Sequence, residues 1–251
     1  MYDEIYDDDD VFEPLDIGVS LEHRATLVTA RGGGPLRTII TGSKRYATGR
    51  YISAKTGRAH PWKFEGEPSR LMICEADANV ATYLAQPHRI DFLIGRKTVQ
   101  FFPDLRIDYR SGKVVIEKIR SDADVRQDRP EDPVTDWARD VYDALGWGFC
   151  VRARAEIERG RALINARIIE FDRFCVMTSI DVSRAYDAID RRGGEAKYGQ
   201  IIEALGGMPR GQAVLHALIV RGEMAIDLNA ILDADTPVWR RGAYPRDNCN
   251  D

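Results

Sequence analysis

The stretch FFPDLRIDYRSGKVVIEKIR, residues 101–120, constrains the fold more than any other part of this 251-residue chain. Two short runs with alternating apolar residues, Leu105–Tyr109 and Val114–Ile119, flank a turn that contains a Ser-Gly pair. Alternation along the chain is typical of half-buried β-strands, and two such runs around a turn predict an antiparallel hairpin. The chain is therefore expected to contain a β-sheet of which this hairpin is part.

The hairpin carries acidic residues at positions that suit metal-dependent chemistry. Pro103 cannot donate a ladder hydrogen bond, so Asp104 is expected at the edge or end of a strand. Glu117 follows thirteen residues later in the second strand, and Glu67 lies upstream at the predicted start of a helix. Phosphodiester hydrolysis by metal ions needs carboxylates that converge on a divalent cation, and a nearby lysine can neutralise the phosphate. Because acidic residues beside a hairpin are more often solvated, spacing alone does not identify a site.

Strands and helices alternate through the first part of the chain, which predicts an α/β domain with a crossover helix. The predicted elements are a helix from Pro68 to about Ala76, strands at Arg89–Leu93 and Thr98–Phe101, a helix with Trp137, Val141 and Leu145 on one face that ends at Gly146, and a strand at Phe149–Arg152.

The C-terminal part is predicted to be helical and winged-helix-like. A helix, a Gly-Gly-Met-Pro turn and a second helix at Gly211–Val220 precede short strands at Met224–Asp227 and near Thr236–Trp239. The predicted organisation is an acidic tail and flexible joint (1–34), an α/β domain with a basic N-terminal arm (35–155), a winged-helix-like domain (156–240) and a tail (241–251).

Charge is distributed unevenly along the chain. Residues 1–16 hold eight acidic residues and no basic one, which is typical of a disordered, solvated segment. Residues 35–63 hold seven basic residues and no acidic one. A flexible basic arm suits phosphate contacts, and a solvated loop is the alternative interpretation. The candidate DNA-binding residues are Lys44, Arg45, Arg50, Lys55, Arg58 and, at the end of the hairpin, Arg120.

The sequence also favours a cytoplasmic protein without a membrane partner. No apolar run approaches the ~20 residues that span a bilayer, and the acidic N-terminus does not resemble a signal peptide. The four cysteines are scattered without a Cys-x-x-Cys pair, which favours a reducing compartment over a disulfide framework or a zinc site. The four histidines share no ligand spacing. His88 is interpreted as structural, and His216 as a core or DNA-facing residue.

The stretch from Glu67 to Arg120 resembles the nuclease domain of the TnsA family, restriction-enzyme-like PD-(D/E)XK endonucleases of heteromeric transposons. The likeness lies in the helix glutamate, the segments EADANVATYLAQP and FFPDLRI, and the strand VVIE. The segment ALIVRGEMAIDLNAILDADTPVW, residues 217–239, is similar to the closing part of the family's C-terminal domain. The resemblance implies a restriction-endonuclease-like mixed sheet flanked by helices, followed by a winged-helix-like domain.

The resemblance assigns three carboxylates to the metal site but does not extend to the lysine. Glu67 matches the family's helix glutamate, Asp104 the motif aspartate and Glu117 the second carboxylate. These residues would hold Mg²⁺, for which Mn²⁺ can substitute. Where the family has Glu-x-Lys, this chain has Glu117-Lys118-Ile119. In a regular strand Glu117 and Ile119 share a face, and Lys118 points the other way.

Three interpretations of this displaced lysine stay open. A bulge could bring Lys118 or Arg120 to the side of Glu117, since bulges are common beside active sites. The carboxylates could cut slowly without the lysine. The domain could also be a degenerate member that binds DNA or a partner without cutting. A likeness limited to the fold is a further alternative.

The resemblance implies a metal-dependent DNA endonuclease that cleaves phosphodiester bonds at mobile-element ends. Glu67, Asp104 and Glu117 would be catalytic, with Lys118 or Arg120 in place of the missing lysine. The implied partners are double-stranded DNA and a DDE-type transposase subunit, and a homodimer is left open. The alternative function is that of a catalytically degenerate, DNA-binding or partner-docking module without enzymatic activity.

Overall fold

The computed structural model describes residues 13–17, 24–37, 47–63, 66–121 and 133–243. These residues form helices and several sheets, so the predicted mixed α/β class is confirmed. The chain divides into two compact units, and each takes residues from separate stretches of sequence. The first unit draws on residues 1–51, 59–67 and 83–155, and the second on residues 52–58, 68–82 and 156–251.

The strands of the described residues are β1 (Glu13–Ile17), β2 (Arg24–Thr29), β3 (Gly49–Ile52), β4 (Ala59–Trp62), β5 (Val80–Ala85), β6 (His88–Ile94), β7 (Lys97–Phe101), β8 (Leu105–Tyr109), β9 (Val114–Arg120), β10 (Gly148–Ala153), β11 (Glu195–Lys197), β12 (Met224–Ala225) and β13 (Pro237–Arg240). The helices are α1 (Gly66–Ala76), α2 (Pro133–Ala144), α3 (Arg154–Arg159), α4 (Arg161–Glu170), α5 (Ser179–Asp190), α6 (Tyr198–Ala204) and α7 (Arg210–Val220).

The elements that the sequence predicted individually are confirmed within two residues at each end. Strand β8 has the predicted bounds, whereas α1 begins two residues earlier than predicted and β12 ends two residues earlier. Strand β5, which lies between the predicted helix and strand, was not anticipated.

The first unit contains an antiparallel sheet in the order β1-β2-β6-β7. Helix α2 packs its apolar stripe on the core, because Val134, Ala138, Val141 and Tyr142 recur at helical spacing and are buried. The predicted helix face is confirmed, since Val141 is buried and Trp137 and Leu145 pack against the same cluster.

His88 is a structural residue of this core, as predicted. It is buried, and its Nε2 lies 2.8 Å from the Tyr142 hydroxyl. Burial, assisted by the positive charge of Arg106, lowers the pKa of His88 to about 3, so the imidazole is neutral at physiological pH.

A second sheet, in the order β10-β9-β8-β5, contains the predicted hairpin. Strands β8 and β9 are antiparallel, with Leu105 opposite Glu117, and Gly112 adopts a positive φ of 88° in their turn. Strand β10 runs parallel to β9, and residues 148–153 pair one to one with residues 115–120. The register of β9 with β10 is therefore continuous through Glu117, Lys118 and Ile119.

The predicted flexible basic arm is folded where the structure describes it. Strands β3 and β4 pair with each other, and Tyr51, Ser53 and His60 are buried. The prediction weighed the arm's charges, whereas Tyr51 and His60, which lie between them, are buried on folding. Lys44 and Arg45 lie outside the described residues.

The second unit combines helices α4–α7 with a small antiparallel sheet in the order β11-β13-β12. Helices α6 and α7 approach closely at Gly211, where any Cβ would clash with the carbonyl oxygen of Ile202. The absence of a side chain on this glycine therefore allows the approach. His216 lies in the core of this unit, where its two nitrogens contact Asp172 and Tyr198. Within the described ranges, none of the helices is both long enough and apolar enough to cross a membrane.

Candidate active site

Asp104 lies just before β8, where it closes the end of the β8–β9 ladder. Its backbone N–H donates to the carbonyl oxygen of Glu117 at 2.9 Å. Its buried carboxylate accepts the backbone N–H of Ile119 at 2.7 Å through Oδ2. The side chain is therefore fixed at the strand end, as Pro103 in the sequence predicted.

Lys118 reaches Asp104 although it points away from Glu117. Its Nζ lies 3.1 Å from Asp104 Oδ1 and donates to the carbonyl oxygen of Phe102 at 2.9 Å. The position of Asp104 explains this contact, because its backbone N–H donates to the carbonyl oxygen of Glu117, the residue before Lys118. The lysine is therefore associated with the aspartate of the hairpin and not with its glutamate.

Glu117 is fully buried and has a different cationic partner. Arg152 Nε donates to Glu117 Oε1 at 3.0 Å. In the parallel register of β9 and β10, Arg152 pairs with Ile119, so the side chains of Arg152, Ile119 and Glu117 project from the same face of the sheet. The sequence contained no local signal for this pair, because it depends on parallel pairing across a crossover helix.

Glu67 occupies the first turn of α1 and is buried. The helix start packs tightly on the sheet, since a Cβ at Gly66 would lie 3.2 Å from Arg154 Cγ and 3.4 Å from Ile119 Cγ2. Glu67 accepts the backbone N–H of Lys63 at 3.2 Å. Burial, followed by the negative charge of Asp104, raises the pKa of Glu67 from 4.5 to about 8, against the opposing effect of Lys118.

Gln86 adds backbone strain next to this cluster. It has a positive φ of 49°, which is uncommon for a residue other than glycine, and its backbone N–H donates to the carbonyl oxygen of Asp104 at 2.9 Å. Such strain is often found at functional sites. Gln86 belongs to the segment EADANVATYLAQP that carries part of the family resemblance.

The donor chemistry of Glu67 and Asp104 fits a divalent metal ion. Carboxylate oxygens are the ligands that Mg²⁺ and Mn²⁺ prefer, and the negative charge of Asp104 contributes to the raised pKa of the buried Glu67. Glu117 does not join them: in the described part of the chain, no three Asp, Glu, His or Cys side chains are grouped so that they could hold one metal ion. The structure therefore associates two of the three predicted metal ligands and pairs the third with Arg152.

The predicted DNA-binding residues differ in their surroundings. Arg50 and Arg58 are exposed on the β3–β4 hairpin, and Arg120 is partly buried at the end of β9. Lys55 instead donates from its ammonium to the carbonyl oxygens of Cys74 and Asp77, where α1 ends. Its charge therefore caps a helix C-terminus.

Comparisons with known proteins add no assignment. The sequence matches none of the known protein families against which it was compared, and no curated protein matches it. The candidate function therefore depends on the geometry of this site and on the resemblance of its motifs.

Proposed function

We propose that the protein is a metal-dependent endonuclease that cleaves double-stranded DNA, as the TnsA-like motifs predict. The observation that carries this proposal is the contact between the Lys118 ammonium and the Asp104 carboxylate, 3.1 Å apart, beside the buried Glu67. Carboxylates can hold the metal ion for phosphodiester hydrolysis, and a lysine beside them can neutralise the phosphate. The displaced lysine is thus compatible with cutting, because it approaches the site from the side of Asp104.

Each of these side chains has a defined task in the proposed reaction. Glu67 and Asp104 would hold Mg²⁺ or Mn²⁺, which when bound lowers the pKa of a water molecule and stabilises charge on the phosphate. The N–H of Ile119 keeps Asp104 in place. Lys118, about one third exposed, stays close enough to Asp104 to neutralise a phosphate that approaches the carboxylate.

The wider assignment rests on the same resemblance. We assign a restriction-endonuclease-like arrangement to the first unit and a winged-helix-like arrangement to the second. The proposed partner is a DDE-type transposase subunit, and a homodimer is the other proposed assembly. Two basic residues on the β3–β4 hairpin, Arg50 and Arg58, are exposed and suited to phosphate contacts.

One observation favours the alternative, a degenerate module that binds DNA without cutting it. Asp104 pairs with Lys118 and Glu117 pairs with Arg152, so two of the predicted metal ligands already have cationic partners within the protein. A site whose carboxylates are neutralised in this way could be retained for structure alone.

A nicking assay separates the two functions. Supercoiled plasmid is incubated with wild-type protein and with Asp104→Asn in Mg²⁺ or Mn²⁺, with EDTA as a blank. Asp108→Asn is the matched control, because Asp108 belongs to the same hairpin and pairs with Arg106. We expect nicking by the wild type and by Asp108→Asn, and a loss of roughly 100-fold or more in Asp104→Asn. DNA binding without nicking above the Asp104→Asn level would establish the degenerate module instead.

A further inference from the structure

Helix α4 and the turn that follows it expose five large apolar residues, which we call the α4 stripe. Ile164, Ile168 and Phe171 recur at helical spacing, and Phe171 continues the helical conformation at the helix end. Phe174 and Val176 follow in the turn, and the five residues are between 42% and 83% exposed. Together they present on the order of 600 Å² to solvent, which is at the upper end for the apolar patches of a monomeric protein. Apolar surface of this extent is typical of an interaction site.

The turn that carries part of the stripe is fixed by hydrogen bonds, although its apolar side chains are exposed. Asp172 Oδ2 lies 2.6 Å from Nδ1 of the buried His216. Arg173 donates to the Glu170 carboxylate at 2.6 Å and to the carbonyl oxygen of Ile52 at 3.1 Å. A surface that is already ordered loses little conformational entropy when a partner binds to it. The exposed phenylalanines are therefore held in a position that suits binding.

The exposed charges beside the stripe are positive. Arg161 and Arg167 are the exposed charged residues of the stretch 161–176, and its two carboxylates are engaged by the contacts that fix the turn. Arg167 lies three residues after Ile164 and four before Phe171, whereas Arg161 lies three residues before Ile164. At 3.6 residues per turn, these spacings put the two arginines on opposite edges of the stripe.

We propose that the α4 stripe is a docking site for an acidic amphipathic segment of a protein partner. The apolar side chains of such a segment cover the stripe, and its carboxylates pair with Arg161 and Arg167 at the edges. A second copy of this chain lacks this complementarity, because a symmetric pair would bring like-charged arginines together. The DNA backbone would pair with the arginines but offers no apolar surface to the stripe. This inference does not rest on the proposed nuclease function.

Two synthetic helical peptides test the charge of the partner. Leucine recurs at helical spacing on one face of both peptides, and the other face carries glutamate in one peptide and lysine in its twin. Fluorescence anisotropy with the full chain should show at least about tenfold tighter binding of the acidic peptide. Equal affinity for the two peptides, or tighter binding of the basic one, would overturn the proposal.

A substitution within the stripe tests the location of the site. Phe171→Asp puts a carboxylate among the apolar side chains and should weaken binding of the acidic peptide roughly tenfold or more. The matched control is Ile231→Asp, because Ile231 is also a highly exposed apolar residue but lies outside the stripe. Circular dichroism and thermal unfolding establish that both variants are folded. Wild-type affinity in a folded Phe171→Asp variant would place the binding elsewhere and overturn the proposal.

Charge reversal at the edges is the sharper test. The double variant Arg161→Glu with Arg167→Glu should prefer the basic peptide, because the edges of the stripe then carry the opposite charge. A merely structural role for the two arginines would not reverse the preference. A folded double variant that still prefers the acidic peptide would contradict the proposed pairing.

Two further measurements distinguish the other occupants of the stripe. If sedimentation velocity without peptide shows a dimer that dissociates in Phe171→Asp, the stripe binds a second copy. If Phe171→Asp lowers DNA affinity while neither peptide binds, the stripe belongs to a DNA-binding surface. Either result would overturn the proposed acidic partner, whereas peptide binding by a monomer with unchanged DNA affinity in Phe171→Asp supports it.

Discussion

The two ends of helix α1 each bury a glutamate, but the two carboxylates have different surroundings. Glu75, at the C-terminal end, accepts hydrogen bonds from Ser53 Oγ, the Ala54 N–H and the Lys55 N–H at 2.7, 2.7 and 3.1 Å. Glu67, in the first turn, accepts the Lys63 N–H at 3.2 Å and is coupled to the negative charge of Asp104. Residue type and burial are alike, so the neighbouring donors and charges decide the role of each carboxylate.

The comparison separates a carboxylate that accepts three hydrogen bonds from one whose pKa is raised by burial and by a neighbouring negative charge. Three donors compensate Glu75 for the loss of water, as a buried ionised group requires. Glu67 accepts only the Lys63 N–H among these described contacts, and burial, followed by the negative charge of Asp104, raises its pKa. Under the proposed function, a divalent cation would bind at Glu67 and Asp104 and not at Glu75.

The largest expected difference comes from the same substitution at both positions. Glu75→Gln should destabilise the protein by about 3 kcal/mol, because an amide cannot accept from three donors and carries no charge to hold them. Glu67→Gln should not lower the stability at pH 8. Urea unfolding of the two variants under one condition measures the contrast. Equal losses would show that burial alone governs both residues.

The second effect depends on pH and concerns Glu67. Since the folded pKa is raised to about 8, the folded protein keeps a proton that the unfolded chain has lost, and stability falls as pH rises from 4.5 to about 8. Glu67→Gln removes this loss, so it should exceed the wild type by on the order of 2 kcal/mol at about pH 9 in EDTA. Near pH 4 the two proteins should be equally stable. A wild type as stable as the variant at about pH 9 would contradict the raised pKa.

The third effect concerns His88 and has the opposite dependence of stability on pH. Burial, assisted by the positive charge of Arg106, keeps this imidazole neutral by lowering its pKa. Its folded pKa of about 3 lies below the ordinary value of 6.5, so its contribution is present above pH 6.5 and is lost as pH falls towards 3. Between about pH 7 and pH 5 we expect a loss of roughly 1–2 kcal/mol. His88→Phe should lack this component of the pH dependence, whatever its absolute stability. If the stability of the variant depends on pH as that of the wild type does, another group causes the loss of stability at acid pH.

The smallest effect concerns Lys55, at the Glu75 end of the helix. Because its ammonium caps the last turn of α1, Lys55→Met should cost about 0.5–1 kcal/mol of stability and leave DNA affinity unchanged. Arg58→Gln, which removes an exposed charge from the same hairpin, should lower DNA affinity and its salt dependence instead. A loss of DNA affinity in Lys55→Met would indicate that this lysine contacts DNA.

Local patterns in the sequence predicted the elements around the site better than the contacts within it. Alternation along the chain predicted β8 and β9, and Pro103 predicted the position of Asp104. The same alternation predicted that Lys118 points away from Glu117, but it could not show that the Lys118 ammonium lies 3.1 Å from the Asp104 carboxylate.

The contacts that the sequence could not reveal are all long-range. Arg152 is 35 residues from Glu117, and Ser53 is 22 residues from Glu75. Each pair is formed by the pairing or packing of separate elements, and no periodicity within one segment encodes such an approach. The basic arm shows the same limit of local patterns. In the sequence Lys55 resembles a solvated cation, but its ammonium donates to the carbonyl oxygen of Cys74 near the end of α1.

Titration of the protein with Mn²⁺ by calorimetry tests the central claim most directly. We expect one ion per chain, with affinity lost in Asp104→Asn and Glu67→Gln and kept in Asp108→Asn. Repetition in buffers of different ionisation enthalpy should show the release of close to one proton at about pH 7, because Glu67 must ionise to bind the metal. Absence of binding, or equal binding by the wild type and Asp104→Asn, would contradict the account.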